Sequence, residues 1–290
     1  MKLLFDQIQI KKYFNSIKGL IYIFLLWNSF KLFQIKADPI IQLLSTLLSI
    51  GIYFDIEDKN SVLDISKLNL RRKININLLL SLLIFLMICI RSFFLNEITD
   101  KFYYLLLPLG ILSISFIGRS FNAVLSFRNI IIISFLLPIR RLFFYIFNPI
   151  MLFITKYFTY FFLFVLGTDP NLEGRSIFIG GSELVISEGC AGTDNLYFVI
   201  SAVIIYKIIF SLKRYKNILF MYFATLILPI LTNMVRNTLL ALIITLNINI
   251  RDKIFNFFHD SYGSLIFSLI SISIISCLYF KLLDKELNYK

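Results

Sequence analysis

Apolar and polar positions alternate along the chain in long blocks, with nine apolar runs at about 20–35, 39–54, 76–95, 102–118, 121–138, 142–166, 195–210, 218–246 and 262–280. A helix crosses the hydrocarbon core with roughly 20 apolar residues, and as few as about 17 are tolerated. The runs therefore predict membrane-spanning helices, several of them marginal in length. One polar insert, Gly167 to Gly192, interrupts the second half of the chain. Within it, Ile177-Phe178-Ile179, Gly180-Gly181 and Leu184-Val185-Ile186 predict two short strands about a glycine turn. No fixed-period repeat and no low-complexity tract is visible beyond a bias to Ile, Leu and Phe.

Charges in the polar blocks orient these runs. The N-terminal tail, the segment Asp55 to Lys73 with its Arg71-Arg72-Lys73 cluster, the Lys213-Arg214-Tyr215-Lys216 turn and the tail carrying Lys281, Lys285 and Lys290 are basic. Basic loops stay in the cytoplasm, so both termini are expected there. Two internal termini require an even number of spans, whereas the runs number nine. The preferred solution keeps 142–166 out of the count, lying in the outer interface or dipping into it with its polar positions Asn148 and Lys156 exposed, after Arg140-Arg141. The alternative treats 121–138, with its Arg128, as the non-spanning run. The expected fold is all-α: a polytopic helical bundle of about eight spans with a short extracytoplasmic β-hairpin, one transmembrane domain over 1–290 whose N-terminal spans occupy 1–137. Lys2, Lys11, Lys12 and Lys18 precede the first run and no small-x-small cleavage site follows Trp27, which reads as a retained signal anchor.

Composition excludes a soluble domain: 58% of residues are hydrophobic, 16% are charged, and the mean hydropathy is +0.82. The net charge of +12 comes from Lys and Arg scattered at the ends of the runs. That distribution marks topology and argues against a nucleic-acid partner. The three cysteines form no C-x-x-C pair and no zinc-ligand spacing, and Cys89 and Cys277 lie inside apolar runs as packing residues. Neither a structural disulfide, a metal nor an organic cofactor is expected.

Three residues on the outer side of this topology carry candidate chemistry. Cys190 follows Glu188-Gly189 and precedes Ala191-Gly192, where small and polar neighbours predict an accessible turn leading into a helix. Free N–H groups and the dipole at such an entry lower a thiol pKa and stabilise an oxyanion. Arg236 lies three residues after Asn233 on one face of an otherwise apolar run, roughly 27 Å along it from Ile218 at 1.5 Å per residue. His259, followed by Asp260, is the single histidine of the chain. Cysteine chemistry needs a base that titrates near neutrality. Each has a plainer account as well: a small buried hydrophobe, a snorkelling arginine and a polar interface anchor.

Glu188-Gly189-Cys190-Ala191-Gly192, then Asn233-x-x-Arg236, then His259-Asp260-x-x-Gly263 resemble, in order and spacing, the motifs of the exosortase/archaeosortase family. The resemblance runs from about Pro138 to Gly263 and makes 138–280 the expected catalytic region. It implies a membrane cysteine protease and transpeptidase of the inner (plasma) membrane, with its site on the extracytoplasmic face. Its substrates would be exported proteins that end in a short motif such as Pro-Glu-Pro, a transmembrane helix and a basic tail. It further implies Cys190 as nucleophile, Arg236 as thiolate or oxyanion partner and His259 as the proton-transfer base, with Glu188, Gly192, Asn233 and Asp260 in support. The family often has Ser after the cysteine where this chain has Ala191, which leaves any such role to backbone amides. A non-catalytic carrier or lipid-linked saccharide transporter, using Arg236 and His259 for an anionic head group, is the rival reading; it would be supported by inverted repeats, and none is visible. A scaffold protein is the third.

Overall fold

The computed structural model describes residues 2–58, 76–95, 101–117, 125, 127–246, 249–259 and 261–288. The Arg71-Arg72-Lys73 cluster and Asp260 lie outside the described residues. The chain divides into two compact units, Met1–Pro138 and Ile139–Lys290.

The first unit is built from α1 (Lys2–Gln34), α2 (Pro39–Asp58), α3 (Ile76–Phe93) and α4 (Tyr103–Phe116). Asp38 starts α2 by accepting the Ile40 N–H at 2.9 Å, with Pro39 at the first helical position, where no N–H is missed. Helix α3 is apolar nearly all round, yet its buried residues are Ser81, Ile88 and Ser92 while Leu82, Leu83, Phe85 and Leu86 point outward. This inversion belongs to a helix whose surroundings are lipid: association rests on close approach of small residues and on polar bonds between helices. Ser81 Oγ donates to the Ser113 carbonyl at 2.8 Å and Ser113 Oγ returns a bond to the Ser81 carbonyl at 3.0 Å, pinning α3 to α4.

Helix α5 (Arg128–Val165) has 38 residues, about 57 Å at 1.5 Å per residue. Residues 128–138 of the run at 121–138 and residues 142–165 of the run at 142–166, the two alternatives for the non-spanning element, are parts of this one helix. Arg140 does not end it, arginine being a good helix former; its guanidinium is neutralised by Asp194, and Asn148 is 5% exposed instead of facing an interface. Among the described residues six helical segments are long and apolar enough to cross a membrane: those of α2, α3, α5, α7 (Tyr215–Thr245) and α9 (Ser261–Asn288), and Glu188–Ile209, which joins a short turn to α6 (Thr193–Ile209). The expected count of about eight is not reached by these residues. The chain is a multi-pass membrane protein.

In the second unit α6, α7 and α9 pack around Val199, Val203, Met221, Ile275 and Tyr279. At one end of this bundle the Glu286 carboxylate, near the end of α9, accepts the N–H groups of Lys213 at 2.7 Å and Arg214 at 3.1 Å and the Asn217 amide at 2.7 Å. An acid here satisfies the free N–H groups at the start of α7. The other end carries a three-stranded antiparallel sheet in the order β1 (Asn171–Glu173), β2 (Ser176–Ile179), β3 (Ser182–Val185). The expected hairpin is therefore one strand short: β1 joins it through the turn at Gly174, whose φ of +57° reverses the chain. Ile177 pairs with Leu184, and with Ile179 and Ile186 they form the buried face of the sheet over Leu240, Ala241 and Cys190. Ser182 Oγ, donating to the Ile244 carbonyl at 3.2 Å, ties the sheet to the last turns of α7. A short helix α8 (Arg251–His259) follows, with Phe255 and Phe258 turned onto the same cluster.

Candidate functional site

Cys190 ends a single 3₁₀ turn, Glu188–Cys190, that leads through Ala191 and Gly192 into α6. Gly192 takes φ +80°, a left-handed conformation that costs glycine nothing. The same residue lets a neighbouring side chain approach closely, since a Cβ on it would fall 2.4 Å from Cγ of Asn233. In the space thus left open, Asn233 Nδ2 donates to the Cys190 carbonyl at 3.0 Å, and Asn237 Nδ2, one turn further along α7, donates to the same oxygen at 3.0 Å. The peptide unit after Cys190 is held by two amides, and the next carbonyl, that of Ala191, accepts from Thr155 Oγ1 at 2.8 Å.

Helix α5 supplies the rest of the grip. Arg140 Nε and Nη2 reach Asp194 Oδ1 at 3.0 and 2.9 Å, and Thr193 Oγ1 donates to Asn148 Oδ1 at 2.6 Å. Arg140, Asn148 and Thr155 are seven or eight residues apart, two helical turns each, and so share one face of α5. That spacing was a usable signal in the sequence, where these residues, like Asn237, were not singled out as site residues.

Cys190 itself is 2% exposed, in contrast to the accessible thiol expected from its neighbours. The reason is the sheet, whose apolar face closes over it. Ser187 Oγ lies 3.4 Å from Cys190 Sγ in hydrogen-bonding geometry. The Arg236 guanidinium lies beside the thiol, near enough for the two groups to interact electrostatically. Its other contacts bind α8: Nε donates to the Phe258 carbonyl at 3.1 Å and Nη2 to the His259 carbonyl at 2.8 Å. A cation at the final carbonyls of a helix is favourably placed for the helix dipole. Nη1 is buried and has no hydrogen-bond partner.

The structure thus places Arg236 beside Cys190 and bonds it to the backbone of His259. The His259 ring is half-buried and stacks on Phe255, centroids 5.3 Å apart at 17°. The tight corner between α8 and α9 requires Gly263, where a Cβ would lie 2.4 Å from the Phe258 Cα. Glu188 is exposed, its carbonyl accepting the Ala191 N–H at 3.4 Å. Cys89 is half-buried on α3 and Cys277 is exposed on α9, so Cys190 is the buried thiol of the three. Asp194, Arg236 and the sheet all lie at the end of the second unit away from the Lys213–Lys216 turn; from Tyr215 to Arg236 is about 32 Å of helix, close to the thickness of a hydrocarbon core.

Comparison with known proteins gives one match. The transmembrane exosortase family model matches residues 61–276, reaching well back of Pro138, where the motif resemblance begins. No curated protein and no solved structure matches the chain.

Proposed function

The chain belongs to the transmembrane exosortase family, and from that premise we propose that it is a cysteine transpeptidase whose thiol nucleophile is Cys190. In this reading the Cys190 thiolate attacks the carbonyl of a scissile peptide bond, the C–N bond breaks, and the leaving amine takes a proton from His259. An acceptor amine then attacks the thioester, its proton passes to His259, and the thiol is regenerated. Arg236 offers positive charge to the thiolate and a donor to the tetrahedral oxygen. The observation that carries the reading is the buried Cys190 thiol beside the Arg236 guanidinium, whose Nη1 is buried with no hydrogen-bond partner among the described residues.

The substrates are exported proteins ending in a short motif, a transmembrane helix and a basic tail, processed at the inner membrane. Loop charge supports the orientation: the Lys213–Lys216 turn and both basic termini face the cytoplasm, and the Cys190 end of the bundle faces outward. The catalytic region is 138–280 within a single transmembrane domain. Glu188, Gly192, Asn233 and Asp260 support it without taking part in bond changes.

The test is co-expression with an epitope-tagged exported protein carrying such a tail. Cys190→Ala, Arg236→Ala and His259→Ala are expected to leave the precursor at full length, while Cys89→Ala and Cys277→Ala process it normally. A carrier or scaffold would keep working with Cys190→Ser. Processing by Cys190→Ala would overturn the assignment.

A further inference from the structure

Asn237 is 0% exposed, and the amide head of its side chain is only half used. Nδ2 donates to the Cys190 carbonyl at 3.0 Å, which settles the orientation of the amide, because a carbonyl oxygen cannot face another acceptor. Oδ1 is left buried with no hydrogen-bond partner. The preceding residue, Arg236, has the complementary deficit: Nη1 is a buried donor with no acceptor. Each orphan costs about 1–3 kcal/mol, and buried polar atoms are rarely left in that state. One unsatisfied donor and one unsatisfied acceptor, on adjacent residues of which one bonds the Cys190 carbonyl and the other lies beside its thiol, match the two polar atoms of a peptide group: a C=O for Nη1 and an N–H for Oδ1.

We propose that Asn237 is a substrate-contacting residue whose Oδ1 accepts the N–H of the nitrogen at the reacting carbon. This is the leaving nitrogen during cleavage and the acceptor amine during transfer. The inference rests on the assignment of Cys190 as nucleophile. On cleavage the C–S bond forms, the C–N bond breaks and the leaving nitrogen gains a proton. On transfer the amine nitrogen bonds the acyl carbon, the C–S bond breaks and one amine proton is released to the base. Leaving and entering nitrogens occupy the same place by microscopic reversibility, so one acceptor orients both. An N–H held on Oδ1 aims the amine lone pair at the thioester carbon. The site therefore takes primary amines in preference to nucleophiles without a proton to donate.

The test uses full-length protein carrying Cys89→Ser and Cys277→Ser in detergent micelles. p-Nitrophenyl acetate acetylates Cys190, nitrophenolate leaving as the C–S bond forms, and intact mass follows loss of the acetyl group. Glycinamide is one chase; 2-mercaptoethanol, whose attacking thiolate carries no proton, is the other. The expected result is an amine-to-thiolate rate ratio that falls about tenfold in Asn237→Leu, the size of one buried hydrogen bond. Asn237→Asp keeps an acceptor oxygen and is expected to hold the ratio near that of the parent. Loosening of the Cys190 turn slows both chases together and leaves the ratio alone, so an unchanged ratio in Asn237→Leu overturns the proposal.

If Asn237→Leu does not accumulate, the parent protein is compared with S-acetyl-N-acetylcysteamine free in solution. The amine-to-thiolate ratio must be higher on the protein, and an equal ratio overturns the proposal. An acetyl adduct that persists in Cys190→Ala defeats the nucleophile assignment itself. A Cys190-dependent adduct with an Asn237-independent ratio defeats this inference alone.

Discussion

Replacing Gly192 by alanine tests the geometry that holds Cys190, without touching any group that reacts. Two costs arise from one methyl group. The backbone at φ +80° is left-handed, which costs an L-residue about 1–2 kcal/mol. The new Cβ would lie 2.4 Å from Cγ and 2.5 Å from Nδ2 of Asn233, and such overpacking costs typically about 1–3 kcal/mol. Asn233 is no free chain end that swings aside, because its Nδ2 is bonded to both the Cys190 carbonyl and Thr155 Oγ1. The combined cost, about 2–5 kcal/mol, falls on the turn between β3 and α6. Even its lower bound shifts a local opening equilibrium about thirtyfold. The assay is the rate at which N-ethylmaleimide modifies Cys190, followed by intact mass in protein carrying Cys89→Ala and Cys277→Ala. In the parent the thiol is 2% exposed and is expected to react slowly. In Gly192→Ala it is expected to react at least about thirtyfold faster. Equal labelling rates in the two proteins would refute the claim that Asn233 and the left-handed glycine together hold this turn closed.

Two further outcomes are expected. Arg236→Lys keeps the charge but loses the planar fork that serves Phe258, His259 and Cys190 at once; substrate processing should fall on the order of 10²–10³ while the protein reaches the membrane at near parental levels. Full processing by the lysine variant would show that charge alone suffices. Arg140→Met strands the Asp194 carboxylate beside the site, and since the pair is 12% and 23% exposed the loss should lie toward the lower end of about 3–5 kcal/mol. Thermal unfolding in detergent measures it, and Arg140→Met with Asp194→Asn should recover much of the loss; no change in either variant would mean the pair is idle.

Much of the membrane architecture was legible because hydropathy over a long run reports directly on burial in lipid. The run at 76–95 became Ile76–Phe93, 218–246 became Tyr215–Thr245, and 262–280 fell within Ser261–Asn288. Elements whose stability comes from neighbours were not legible in this way. β1 has three residues, Asn171–Glu173, with no alternation of its own, and exists because β2 offers it a partner. Helix α8 is nine residues and polar on average, too short to stand alone. Its Phe255 and Phe258, three apart on one face, were the available sign that it packs on the Cys190 cluster. The break expected near Arg140 failed for a related reason. Arginine is a good helix former, so Arg140 and Arg141 leave the helix continuous, and the Asp194 that neutralises Arg140 is 54 residues away in sequence.

The residues around Cys190 divide along the same line. Asn233 and Arg236 stood out as polar positions three apart in an apolar helix, whereas Asn237 adds nothing to that pattern when viewed alone. Its weight comes from a bond to a carbonyl 47 residues away and from an oxygen that has no bond at all. A bundle shaped for stability alone would put leucine at 237 and an aliphatic residue at 236, since apolar replacements of buried ion or polar groups are often neutral or stabilising. Here a guanidinium and an amide each keep one buried polar atom without a partner among the described residues. Local departures of this kind, kept by surroundings that over-determine them, collect where a protein binds or transforms something. Under the proposal made above, the two orphan atoms at Arg236 and Asn237 are where an incoming group restores the missing bonds, and the cost of leaving them open in the resting protein is returned as binding selectivity for a group that carries both a donor and an acceptor.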